Sequence, residues 1–245
     1  MPTPYIKEYL MTAGPTPLPP AVSQVMAEPV LYHRAPAFIE IYARVLERLP
    51  SVFGASGDVL TFAASGSGAM ESAVANLVRQ GEPAVVASCG KFGERWKDLC
   101  DAFGAATHHL DSGWGNRVEP ADLDKALSDS GAKVAFTTLS ETSTGVLNDI
   151  AALGEVARSY DAILAIDAVS ALGAVPVDQD RIGVDVVVSG SQKALMCPPG
   201  LAFASVSEPA LERAAAQGSG RFYFDWTRTA KGQRKEPPDS PFTPA

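Results

Sequence analysis

The chain has 245 residues, 46% hydrophobic, 20% charged and 8% aromatic, which excludes a disordered tail, a collagen-like repeat or a coiled coil and allows one large α/β domain or two small ones. A net charge of −8 argues against nucleic acid or an anionic membrane as main partner, since both need a basic face to displace counterions. No apolar run approaches the roughly 18 residues of a membrane span.

In chain order, Met1 to Pro20 hold neither a basic region with an apolar core nor an Arg-rich amphipathic stretch, so no export or organelle signal is expected. Pro15, Pro17, Pro19 and Pro20 read as an extended arm or loop, because proline fixes φ and removes a donor. From Pro36 a helix is predicted, with Phe38, Ile41, Tyr42, Val45 and Leu49 on one face. An alternation follows. Val59–Ala63 reads as a strand, then a Gly/Ser turn and a helix to about Gln80. Ala84–Ser88 precedes a helix from Phe92 to Phe103. Ala106–Leu110 precedes a helix from Pro120 to Leu127, with Pro120 suited to the first turn. Lys133–Leu139 is a strand, Asp149–Tyr160 a helix capped by Asn148 or Asp149, and Ile163–Ile166 a strand. Val184–Val188 and Leu201–Ser205 are two more strands, and Glu208–Ala216 is a helix. After Ala216 the chain turns polar and rich in Gly and Pro, and no further core element is expected.

Strands alternating with helices imply βαβ units. The expected fold is therefore α/β, a mainly parallel sheet with helices on both faces. Such sheets bind ligands outside the carboxyl ends of the strands, so the residues after each strand are the candidates. Ser65-Gly66-Ser67-Gly68 can cradle a phosphate at a helix N-terminus, or be an ordinary turn. It is neither a dinucleotide fingerprint nor a P-loop. Phe92, before Gly93, can lie over a planar ligand or anchor its helix in the core. The hydroxyls from Ser140 to Thr144 can bond a ligand oxygen or cap their own turn. Asp167 ends an apolar strand and needs a cationic partner there, from the protein or from a ligand. Lys193 can be a surface or ion-paired lysine, or an amine held neutral by desolvation and able to form a Schiff base. Together, a phosphate cradle, a stacking aromatic, hydroxyls, an acid and a lysine match the groups of pyridoxal phosphate. His108 and His109 have no partner ligand at metal spacing and read as structural, so no metal is expected. Trp96, Trp114 and Trp226 are scattered. Cys89, Cys100 and Cys197 make neither a disulfide framework nor a CxxC site, so a reducing, cytoplasmic setting is the default.

Several stretches resemble the class V aminotransferases of pyridoxal-phosphate fold type I, within them the alanine–glyoxylate and serine–pyruvate group. They are Gly14-Pro15-Thr16-Pro17, His33-Arg34, Ser65 to Glu71, Phe92-Gly93, Glu141 to Leu147, Asp167 to Ser170, Ser189 to Lys193 and Pro198-Pro199-Gly200. The resemblance implies that Lys193 is the Schiff-base lysine and proton shuttle, and that Asp167 is the partner of the pyridine nitrogen. It implies Phe92 and Val169 on the two ring faces, Thr142 near the ring hydroxyl, and Ser65, Gly66, Ser67 and Gln192 on the phosphate. Thr243 would reach the phosphate of a neighbouring subunit, so a homodimer is expected. Gly14 would line the substrate-carboxylate side. Residues 1–35 form an N-terminal arm and first helix in this reading, and 36–245 the large cofactor-binding domain. The family continues for roughly a further hundred residues, a domain-sized piece holding a carboxylate-binding arginine, so that small domain is expected to be missing. The implied activity moves an amino group from a serine- or alanine-type amino acid to a 2-oxo acid such as glyoxylate or pyruvate. A cysteine desulfurase-like lyase of the same class is the alternative, although such enzymes carry His where this chain has Gln192. An inactive truncated cofactor-binding fragment is the other. A nicotinamide-binding domain fits the fold but lacks the glycine fingerprint.

Overall fold

A computed structural model describes residues 10–218 and 220–239. Helix α1 spans Pro20–Met26 and α2 spans Pro36–Phe53. Strand β1 (Asp58–Ala63) leads into α3 (Gly66–Leu77), β2 (Pro83–Ser88) into α4 (Lys91–Ala102), and β3 (Ala106–Asp111) into α5 (Pro120–Ser130). After β4 (Val134–Thr138) come the short strands β5 (Ser140–Glu141) and β6 (Val146–Leu147), then α6 (Ile150–Ser159). The order continues with β7 (Ile163–Asp167), α7 (Gln179–Ile182), β8 (Val186–Gly190), β9 (Leu201–Val206), α8 (Glu208–Ala216) and α9 (Trp226–Gln233).

Among the described residues the main sheet has seven strands in the order β1-β9-β8-β7-β4-β2-β3. Pairing is parallel from β8 through β7, β4 and β2 to β3, while β9 is antiparallel to both β8 and β1. The mainly parallel sheet read from the alternation is therefore present. Chain direction reverses at β9 because the loop at 191–200 carries no crossover helix.

Successive side chains on a strand point to opposite faces, and the core divides accordingly. Val134 and Phe136 of β4 and Val186 and Val188 of β8 join one buried cluster with Met70, Trp96, Ala210 and Trp226 from α3, α4, α8 and α9. Ala135 and Val187 face the other way and join Phe53, Leu123 and Leu153 from α2, α5 and α6. Helices thus cover both faces.

Most predicted boundaries differ by only a few residues. Helix α5 runs to Ser130 and stops at Gly131, whose φ of 66° is the left-handed C-cap geometry that favours glycine. Asp149 caps α6 by accepting from Ala152 N at 3.2 Å. The other candidate cap, Asn148, ties loops instead: it accepts from Val118 N at 2.9 Å and donates to Thr138 O at 2.7 Å. His109 is paired with Ser88 Oγ at 2.7 Å.

Two expectations are corrected. Part of the proline-rich arm is helical, because Pro20 stands in the first turn of α1, where its missing N–H costs nothing. The polar tail holds a core element, α9. Trp226 is 0% exposed and donates through Nε1 to Ser72 Oγ at 3.1 Å. Gln233 covers the outer edge of β1: its Oε1 accepts from Thr61 N and its Nε2 donates to Val59 O, both at 3.0 Å. A side chain here satisfies the open row of an edge strand. Beside Trp226, α9 buries only Thr229, Ala230 and Gly232, too weak a pattern to signal a core helix.

Replacing Trp226 with alanine is expected to cost about 3–5 kcal/mol in urea unfolding, because it empties a closed site and strips Ser72 of a partner. The same change at Trp114, which is 58% exposed, is expected to cost under about 1 kcal/mol.

Candidate functional site

The carboxyl ends of β1, β2, β4, β7 and β8 meet around one cavity. Gly14, Ser65, Gly66, Ser67, Phe92, Thr142, Asp167, Val169, Gln192 and Lys193 all line it. These are the sequence-predicted site residues apart from Thr243, which lies outside the described residues.

At one end α3 begins. Its N-cap, Ser65, has the residue type that usually caps a helix, yet its hydroxyl makes no capping bond. Among the described residues the amides of Gly66 and Ser67 donate to nothing, so they remain free beside the partial positive charge of a helix N-terminus. A Cβ on Gly66 would stand 2.7 Å from Val169 Cγ2, so only glycine lets the loop lie this close to Val169. Beside it, the buried Oε1 of Gln192 has no hydrogen-bond partner among the described residues.

Phe92 stands in the first turn of α4. Its position is set by Glu141, which is fully buried and whose Oε2 accepts from Phe92 N at 3.0 Å and Gly93 N at 2.9 Å. The other carboxylate oxygen accepts from Ser143 N at 3.1 Å and Ser143 Oγ at 2.7 Å. A carboxylate at a helix N-terminus meets both the free amides and the dipole. Sequence reasoning placed Glu141 in a motif but gave it no task. It also missed Arg95, Ser170 and Met70, which line the cavity. The i+3 spacing of Arg95 from Phe92 on a helix that opens at a strand end was the available signal. Thr142 Oγ1 and Ser170 Oγ share a hydrogen bond of 2.6 Å.

Asp167, 4% exposed, ends β7, and its Oδ1 accepts from Val169 N at 2.7 Å. Burial outweighs that bond and pushes the carboxyl up to about 6, with nearby Glu141 adding to the rise and Arg95 and Lys193 opposing it. Lys193 follows β8. Its Nζ donates to Ala13 O at 2.5 Å, and Thr16 fastens the arm over it through bonds to Gln192 O at 3.0 Å and Lys193 O at 2.8 Å. Gly14, at φ 125°, lies so close that a Cβ there would come within 2.6 Å of Nζ.

Among the described residues the cavity thus offers unpaired amides and two serine hydroxyls at one end, an aromatic ring and Val169 on its walls, a buried acid and an amine. The open amides of α3 and the unpartnered Gln192 oxygen mark places where a ligand would complete the bonding. This donor set fits pyridoxal phosphate, whose phosphate could be met by Ser65, Gly66, Ser67 and Gln192, its ring flanked by Phe92 and Val169, its ring cation paired with Asp167 and its aldehyde bound by Lys193. Among the described residues no group of three or more His, Cys, Asp or Glu side chains is placed to hold a metal ion.

Residues 8–239 match the family model for class V aminotransferases. The chain is 40% identical over 242 residues to a protein of Synechococcus named soluble hydrogenase, small subunit, covering 97% of this chain and 62% of that one. It is 32% identical to the serine–glyoxylate aminotransferase of Methylorubrum extorquens, covering 97% of this chain and 61% of the relative. In three dimensions it is similar to a Thermus thermophilus aspartate aminotransferase of subgroup IV, with TM-score 0.90 and 36% identity over 97% of this chain and 66% of that one. The chain thus spans about three fifths of the length of these curated relatives, 62% and 61%.

The Asp167 carboxyl rises from 3.8 to about 6 on folding, so the native chain binds this proton more tightly than the unfolded one. The stabilisation is present below about pH 4 and lost, by about 3 kcal/mol, as pH rises to 6. Asp167→Asn keeps an acceptor for Val169 N. It is expected to raise the stability of the cofactor-free chain at pH 7, with the gain shrinking towards pH 4 in urea unfolding.

Proposed function

The chain belongs to the class V aminotransferase family, whose cofactor is pyridoxal phosphate, and from that premise we propose that it moves an amino group from a serine- or alanine-type amino acid to a 2-oxo acid such as glyoxylate or pyruvate. The observation that carries this reading is the convergence of Lys193 and Asp167 on one cavity whose far end is an uncapped helix N-terminus. When bound, pyridoxal phosphate supplies an aldehyde that takes up the amino group and a cationic ring that accepts the electrons released as Cα loses its proton.

The residues divide the remaining work. Lys193 Nζ would hold the aldehyde in the absence of substrate and, once released, would be the base placed to move the proton between the substrate Cα and the cofactor C4′. Asp167, ionised, would keep the ring nitrogen protonated. Its burial strengthens that pairing, because little water competes for either charge. Phe92 and Val169 would flank the ring and restrict its movement. Thr142, paired with Ser170 Oγ, would offer its hydroxyl to the ring hydroxyl. Gly14 borders the lysine on the side where the substrate carboxylate enters.

Similarity to serine–glyoxylate and alanine–glyoxylate aminotransferases supports this donor and acceptor class. The lyase alternative lacks similar support. Cys197 is absent from the cavity lining, and its Sγ donates to Leu195 O at 3.4 Å. A homodimer and a cytoplasmic setting belong to the proposal. Exposed apolar side chains on the arm and α2, among them Met11, Val30, Ile41 and Val45, support a second copy, and three free cysteines suit a reducing compartment. No described helix is long and apolar enough to cross a membrane.

Borohydride reduction in the presence of pyridoxal phosphate is expected to fix the cofactor covalently to Lys193, read by peptide mass mapping, with no such adduct in Lys193→Ala. Labelling spread over surface lysines would defeat the assignment. Cofactor affinity is expected to fall about tenfold per pH unit below about 6, as Asp167 takes up its proton, and Asp167→Asn should flatten that slope.

A further inference from the structure

We propose that Arg95 is the phosphate-side cation of the site, holding the cofactor phosphate together with the N-terminus of α3. The inference rests on the pyridoxal-phosphate reading above and assigns a residue to which that reading gives no task.

Arg95 projects from α4 into the cavity, half-buried. Its Nη1 donates to Ser67 Oγ at 2.8 Å, in the same turn that leaves the amides of Gly66 and Ser67 open. Because Ser67 Oγ accepts this bond, its own hydrogen stays available to donate into the cavity. The guanidinium also lies 4.8 Å from the centre of the Phe92 ring, which fixes its plane. Among the described residues the Arg95 side chain makes no ion pair and no other hydrogen bond. Most of its donors are therefore unused, in a fork that suits phosphate oxygens.

Charge decides the assignment. A phosphate monoester carries roughly −1.5 to −2 at neutral pH, whereas a helix N-terminus offers about +0.5. Among the described residues, the charged ones lining the cavity are Arg95, Lys193 and Asp167. Lys193 is engaged by the aldehyde and Asp167 by the ring cation. Arg95 is left as the full positive charge in this lining to meet the dianion, at the end where the amides are open.

The test compares equilibrium binding of pyridoxal phosphate and of unphosphorylated pyridoxal to the 245-residue chain, followed by absorbance, with inorganic phosphate as competitor. Arg95→Gln is expected to weaken pyridoxal phosphate about 10- to 100-fold while pyridoxal changes less than about threefold. Arg95→Lys, which keeps the charge but loses the fork, is expected to fall between and serves as the test should Arg95→Gln not fold. Phosphate should compete less well in both variants. Equal weakening of the two ligands would overturn the proposal, as it would place Arg95 behind Phe92 and the ring. Unchanged cofactor binding with altered amino-acid affinity would overturn it too, by placing Arg95 on the substrate carboxylate. A wild-type chain that binds neither aldehyde would instead overturn the pyridoxal-phosphate reading itself, a result distinct from both.

Discussion

A carboxyl group at the end of a buried strand is an expensive thing for a fold to keep, and Asp167 is held there with one backbone hydrogen bond and almost no water. Packing cannot relieve the cost, because β7 sits between β4 and β8 in the middle of the sheet. Arg95 and Lys193 offset part of it, and the proposed ring cation would supply the rest. The same desolvation that lifts its protonation midpoint makes a pairing with a ring cation strong once formed. In the proposed pairing, stability given up by the cofactor-free chain and affinity for the cofactor would have one physical origin.

The remaining geometry divides between groups already satisfied and groups held open. Glu141 meets the first amides of α4, and Ser143 meets Glu141, so Phe92 is fixed without any ligand. At α3 the opposite holds: Ser65 forms no cap, and Gln192 Oε1 has no partner among the described residues. Two neighbouring helices that start at the same end of one sheet therefore serve different ends. One is closed by a protein carboxylate and positions a wall; the other stays open to an anion. Arg95 links them, rising from the closed helix to Ser67 at the start of the open one.

The chain reversal at β9 has a related consequence. Because the loop at 191–200 returns without a crossover helix, Lys193 stands at the end of a parallel strand yet remains reachable by the N-terminal arm. Thr16 clasps the backbone of Gln192 and Lys193, and Gly14 lies against the amine. The arm is thereby part of the site. At the far edge of the sheet Gln233 meets Thr61 N and Val59 O on the outer side of β1, the strand that leads into α3.

The alternation of apolar runs and helical segments determined the layered α/β fold and the end of the sheet to search, because both periodicities are local. The residues after each strand were legible for the same reason: Ser65, Asp167 and Lys193 follow directly from where their strands stop. The tasks of Glu141, Arg95 and Trp226 were decided only by the tertiary structure. Glu141 reaches Phe92 across 49 positions because β4 lies beside β2, and nothing local in the sequence sets that neighbour. Trp226 finds Ser72 across 154 positions from a helix that is mostly polar. Side-chain periodicity reports which face of an element is buried; which other element covers that face depends on strand order, and strand order is a property of the assembled sheet.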